Sequence, residues 1–203
     1  MLHHLAHKSE MSPLGRAVRE VIQITKGAPM LWHFGTDAQG SFITNRAFLA
    51  YLPATDQATL MIAMGLLPGI GSWDAGRGQD VTRWTPVPTI APLVAAYTSD
   101  DPVAVDTTIT VHSHPTLPRG VRLFRVDDRL VGIDARYASL LAGSPVRVHG
   151  PRGQEALWVA EAGMPCVAAM QIQAEGDAAW DTVLAAKLGE LRRTETHDLR
   201  QTV

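Results

Sequence analysis

The run His112-Ser113-His114-Pro115 holds the side chains best suited to chemistry in this chain. On a β-strand, His112 and His114 point to one face, as two ligands of a zinc ion must. No third ligand follows at a matching spacing, so the pair alone makes an incomplete metal set. It supports a metal-dependent hydrolase only as an alternative reading. His3, His4 and His7 form a second group, on residues 1–11, which read as a flexible leader without fixed ligand geometry. Cys166 is the only cysteine, which excludes an intrachain disulfide. Its neighbours Met164, Pro165 and Val167 predict a small apolar packing residue. GxSxG, GxxxxGK[ST], CxxC and HExxH are absent, and Gly69-Ile70-Gly71 lacks the third glycine of a dinucleotide loop.

HSHP is similar to the JAMM-type metalloprotease motif, in which a Ser and a ligating Asp follow at fixed spacing. Here Leu123 and Val126 stand at those positions, and Asp127 is one residue out of register. No upstream helix offers a clear catalytic Glu. A different chemistry comes from charge. Between residues 116 and 152 lie seven arginines (119, 122, 125, 129, 136, 147 and 152), no lysine and three aspartates. That is a local balance of +4 in a chain of net charge -2. Such a segment either contacts phosphates without reading sequence, or forms a solvated face with internal ion pairs. Fifteen arginines stand against three lysines (8, 26 and 187). The bias reflects either a GC-rich genome or the bidentate phosphate grip of Arg.

The elements that must position these groups read as follows. With 46% hydrophobic and 19% charged residues, 203 residues can bury a core. Ser12-Pro13 opens an amphipathic helix whose apolar side is Leu14, Ala17, Val18, Val21 and Ile22, with Gly27 as its stop. Arg16, Arg19 and Lys26 lie mostly away from that stripe. Residues 30–34 form a short apolar run, and 41–53 read as a strand with a turn at Asn45 or as a strand leading into a short helix. TLMIAMGLL (59–67) reads as a buried strand. Residues 68–92 are punctuated by Gly/Pro turns, and Trp73 and Trp84 are expected to anchor that loop to the core.

Strands are predicted at 103–114, in VRLFRV and RLVGI around an Asp127-Asp128 turn, and at 145–150, 155–162 and 165–173. DARYASLLAG (134–143) predicts a helix N-capped by Asp134. From Asp177, Trp180, Val183, Leu184, Leu188 and Leu191 share one side of an amphipathic tail helix, which docks either on its own domain, the commoner outcome, or on a partner. No stretch has the length of a membrane span and no signal peptide is evident, which predicts a cytoplasmic location.

The run GVRLFRVDDRLVGIDARYASLLAGSPVRVHGPRGQEALWVAEAGMPCVAAMQI (120–172) resembles part of a DNA sliding clamp. IDARYASLL sits where clamps carry an "asn-pro-lys-tyr-leu" helix, and MPCVAAM where their closing strand falls. LGRAVREVI and GTDAQGSFITNRAFLAYLP give a weaker parallel in the first half. The resemblance covers about residues 14–172, one clamp domain, whereas a ring-forming clamp protomer carries two or three.

It implies an α+β fold of two helix-plus-strands units with mostly antiparallel sheet, 12–176 (halves about 12–100 and 101–176), plus a C-terminal helix and tail at 177–203. It also implies a non-catalytic processivity module with no cofactor, in which Arg16, Arg19, Lys26 and Arg136 meet duplex DNA. A polymerase or other DNA enzyme would be tethered, and the chain would be a homo-oligomer. The alternatives are the hydrolase and a structural or assembly scaffold.

Overall fold

The computed structural model describes residues 7, 9–24, 32–36, 41–45, 47–65, 72–75, 82–84, 95–112, 117, 119–142, 145–161, 164–170 and 178–201. In chain order the elements are α1 (Pro13–Ile24), β1 (Trp32–Thr36), β2 (Ser41–Thr44), β3 (Phe48–Leu52), α2 (Ala54–Ala63), β4 (Ser72–Ala75) and β5 (Thr82–Trp84). There follow β6 (Val103–Val111), β7 (Val121–Val126), β8 (Arg129–Asp134), a 3₁₀ helix η1 (Ala135–Leu141), β9 (Val146–His149), β10 (Ala156–Glu161), β11 (Met164–Met170) and the C-terminal helix α3 (Ala178–Gln201). All strand pairs are antiparallel. The strand order is β5-β4-β1-β2-β3-β11-β10-β9-β6-β7-β8. The fold is α+β, as expected.

The central six strands read as a palindrome. An α1–β1–β2–β3 unit and an η1–β9–β10–β11 unit join through their last strands, with Ala50 opposite Val167 and Leu49 opposite Ala168. Alternation along the strands sets two faces. Phe34, Ile43, Phe48, Phe124, Val126, Val131, Ile133, Val148, Leu157 and Val159 point inward to one core. α1 adds Leu14, Val18 and Val21 to that core, and η1 adds Tyr137, Leu140 and Leu141. Tyr137 lies 5.3 Å from the Phe48 ring, and its hydroxyl accepts from Asn45 Nδ2 at 3.0 Å. The sheet is therefore bent, since η1 follows β8 at one edge of it yet packs on β3 in the middle. Arg129 of β8, whose Nη1 lies 2.6 Å from buried Glu155 Oε1, ties the same bend.

Two local readings change. Within the segment read as a strand at 59–67, residues 59–63 instead form the second half of α2, and 66–67 lie outside the described residues. Thr55, Asp56 and Gln57, which carry no apolar period, lie in the first turn after Pro53, and Leu60 and Met61 are the helix residues buried in the apolar core. The stretch read as loop at 68–92 contains β4 and β5, which carry Trp73 and Trp84. Pairing with β1 and with each other, rather than propensity, makes these short strands. The side chains of Trp73, Trp84 and Cys166 fall outside the described residues, as do Gly69–Gly71.

Several expectations hold. Asn45 makes the β2–β3 turn, its Oδ1 accepting from Ala47 N and Phe48 N. Asp127 and Asp128 form a two-residue hairpin turn in which Asp127 supplies a φ of 52°, a value Asp tolerates better than most residues. Asp134 caps η1 by accepting from Arg136 N, although the helix is 3₁₀ rather than α. α3 docks on its own chain, laying Val183, Leu184, Leu188 and Leu191 on Val111, Val121, Leu123 and Leu130 of the outer face. Met11, placed in the leader by sequence, is buried in the core.

The start of α1 is set by α2. Ser12 Oγ donates to Asp56 Oδ2 at 2.5 Å and accepts from Gly15 N at 2.9 Å, while Ser12 N also donates to Asp56 at 3.1 Å. A Cβ on Gly15 would stand 2.0 Å from Asp56 Oδ2. Gly15→Ala is expected to destabilise by about 1–3 kcal/mol through overpacking, against a helix-propensity gain of about 1 kcal/mol. Asp56→Ala removes the crowding, so the losses of the two variants should not add. Urea unfolding of both singles and the double checks this; additive losses would show that Asp56 does not crowd position 15.

Candidate nucleic-acid interface

Two features bring α1 and η1 side by side on the inner face of the sheet: the aliphatic stripe of α1 and the seat of Tyr137. Their outward sides frame an open groove of about 410 Å³ lined by Pro13, Arg16, Ala17, Arg19, Glu20, Gln23 and Ser139. Arg16 is exposed and Arg19 half-buried. Arg16 Nη1 donates to Met11 O at 2.6 Å, which folds the side chain back along the first turn of α1. Glu20 adds a carboxylate to the groove. Lys26 lies outside the described residues.

Arg136 does not join this set. Its guanidinium donates to Asp134 through both Nε, at 2.7 Å, and Nη2. It also lies 5.7 Å from the Tyr137 ring centre. Asp134 holds its proton affinity above the ordinary guanidinium value even though burial opposes this. Arg136 thus fixes the β8–η1 corner. Burial, the larger influence, raises the Tyr137 phenol, against the Asn45 hydrogen bond, so the ring stays neutral in the core.

The Arg-rich segment is likewise largely committed within the chain. Arg122 grips Asp106 with Nε on Oδ1 at 2.8 Å and Nη2 on Oδ2 at 3.0 Å. Its Nη1 donates to Thr108 O at 2.7 Å, spanning a bulge where Thr108 has a φ of 61°. Arg129 pairs with Glu155, and Arg147 Nη1 donates to Asp101 O at 2.7 Å. The local +4 counted along the sequence is partly balanced in space by Asp106 and Glu155, which lie outside the counted window. Arg119 and Arg152 are exposed.

Of the histidine pair, one member is described. β6 ends at Val111, so His112 is exposed beyond the strand, and His114 lies outside the described residues, as do His3 and His4. Among the described residues no three His, Cys, Asp or Glu side chains group as metal ligands.

A polar cluster that sequence reading missed sits on the outer face of β9 and β10. Asp101 accepts from Trp158 Nε1 at 2.9 Å and brackets His149 Nδ1 with both oxygens at 3.1 Å. The Tyr97 ring leans on His149 and Trp158, and burial followed by the Asp101 charge raises its phenol. Only sequence-distant pairing makes this cluster, so no local signal could have announced it.

No protein-family model, curated protein or solved structure matches the chain. Among the described residues no helix is long and apolar enough to cross a membrane.

The Asp106 carboxyl sits below its ordinary value. Burial pushes it up, but the hydrogen bonds from Arg122 and Thr108 N and the Arg122 charge outweigh that. A lowered folded value stabilises above the unfolded value of about 4 and is lost as pH falls through the folded one. Asp106 is exposed enough that the gain is expected to stay within the about 0–1 kcal/mol of surface pairs. Melting temperature measured as pH falls from neutrality should drop less steeply below pH of about 4 in Asp106→Asn than in the parent. Parallel profiles would show that the grip is not formed in solution.

Proposed function

We propose that this chain is a DNA-associated, clamp-like binding module that performs no chemistry and holds a partner enzyme near duplex DNA. The observation that supports this most is the duplicated layout: two helix-plus-three-strand units joined through β3 and β11, with α1 and η1 side by side on one face. It is the arrangement the clamp resemblance implies. The outward side of α1, with Arg16 and Arg19, is the surface offered to phosphates, and Lys26, outside the described residues, is a further expected contact. Contacts of that kind give affinity by releasing counterions and do not read sequence. A tether of this sort works by raising the local concentration of its partner, a polymerase or other DNA enzyme. A homo-oligomer would let several such surfaces act on one duplex.

Arg136 has a different part. With its guanidinium on Asp134, it orients η1 beside α1, and its loss would leave a buried carboxylate unpaired.

Fluorescence anisotropy with a duplex oligonucleotide tests the reading. Binding is expected at low salt, with log affinity falling as log salt rises by about 0.9 per phosphate contacted. Arg16→Glu with Arg19→Glu should flatten that slope by about one to two contacts while leaving the melting temperature unchanged. Arg136→Ala should instead lower stability by about 1–3 kcal/mol. Affinity that is absent at low salt, or indifferent to salt, would sink the proposal.

A further inference from the structure

α3 is held to the sheet by a thin contact. Val183, Leu184, Leu188 and Leu191 fall within one side of the helix, yet each stays only half-buried. Beneath them, Val121 and Leu123 are 0% exposed, and Val111 and Leu130 are close to that. The outer face of β6–β8 therefore depends on a helix for its burial more than the helix depends on it. A polar tie sits at one end, where Arg192 Nη2 donates to Asp128 O at 3.3 Å. There the exposed Arg192 stands at the turn that carries exposed Asp127 and Asp128, so helix and turn are complementary in charge.

The outer face continues from β8 across Arg125 to β6. Leu130 is opposite Arg125, and Arg125 opposite Val105, so Val105 continues the row. Val103 and Val105, 49% and 54% exposed, are the large hydrophobic side chains left open among the described residues.

We propose that the outer face of β6–β8 is a helix-docking surface that α3 fills within its own chain and that the α3 of a second copy fills in a dimer by reciprocal exchange. Each contact of the closed form is kept in the exchanged one. The balance is then set by chain concentration against the effective concentration of the tethered helix. Opening parts the half-buried leucine and valine contacts and the Arg192–Asp128 hydrogen bond, and uncovers Val121 and Leu123 until a second α3 covers them. In the dimer the body of the second copy stands beside Val103 and Val105. The inference is independent of DNA binding.

A charge exchange on exposed positions of the full chain tests it. One copy carries Asp128→Lys and the other Arg192→Asp with Arg193→Asp. Each alone mismatches its own helix and turn, and would do so again in a homodimer. A reciprocal heterodimer matches at both sites. Equimolar mixing, at concentrations approaching the millimolar effective values of short tethers, should give a heterodimer by native mass spectrometry and light scattering that neither variant forms alone. Adding Leu184→Asp and Leu188→Asp to both copies should abolish it. A mixture that stays monomeric overturns the proposal. So does a heterodimer that survives the leucine changes, since the copies would then be meeting elsewhere. Circular dichroism on the charge variants confirms that the fold is intact; if the leucine variants unfold, heterodimer formation by the charge pair still decides the question.

Discussion

The antiparallel pairing of β3 with β11 is the constraint on which the molecule depends. Three backbone pairs, Phe48 with Ala169, Leu49 with Ala168 and Ala50 with Val167, join segments far apart in the chain. Such non-local closure is entropically costly, and it forms only when side chains on both sides gain burial from it. Phe48 and Ala50 supply that gain on one side, with Leu157 and Val159 beside β11. Once this seam is closed, the two units face each other, α1 meets η1, and Tyr137 finds both the Phe48 ring and Asn45. Each of those contacts joins a residue of one half to a residue of the other.

Charge in this protein is mostly spent on holding shape. Arg122 braces a bulge, Arg129 reaches buried Glu155 across the bend, Arg136 locks a corner and Arg147 holds the turn before β6. Each is at or near a place where the sheet departs from regular geometry. A guanidinium suits such places because its fork satisfies several acceptors at fixed angles. Pairs of this kind stabilise little in net terms but are costly to break halfway, since the partner is left without its counter-charge. Four of the fifteen arginines thus have roles within the sheet that need no phosphate ligand.

Local patterns carried the elements well and the assembly poorly. α1, the Asp127-Asp128 turn, the Asp134 cap and the tail helix each follow from spacing or a cap residue within a few positions. α2 was missed because its polar first turn carries no apolar period, and β4 and β5 because pairing with β1 outweighs their glycine-rich surroundings. The groove between α1 and η1 was half legible: the outward arginines of α1 could be read from helical spacing. Ser139 and the loss of Arg136 to Asp134 could not, since both follow from how η1 turns after β8. The Asp101–His149–Trp158 cluster was invisible for the same reason: its members come from separate segments that only the sheet brings together.

A chain of net negative charge can meet a polyanion only where cations are grouped and their counter-anions lie elsewhere. α1 meets the first condition because its amphipathicity is strict: Leu14, Val18 and Val21 turn to the core, leaving Arg16 and Arg19 on the other side. The second condition is met only in part, since Glu20 shares the groove. What keeps the face cationic is that Asp56, close under the first turn, is committed to Ser12 and buried, so its charge is directed into the helix start rather than outward. The same contact sets the angle at which α1 crosses the sheet, through the glycine that lets α2 approach. Orientation of the helix and the sign of its outer face therefore share one cause, and a change at Asp56 or Gly15 reaches the candidate interface without touching any residue that lines it.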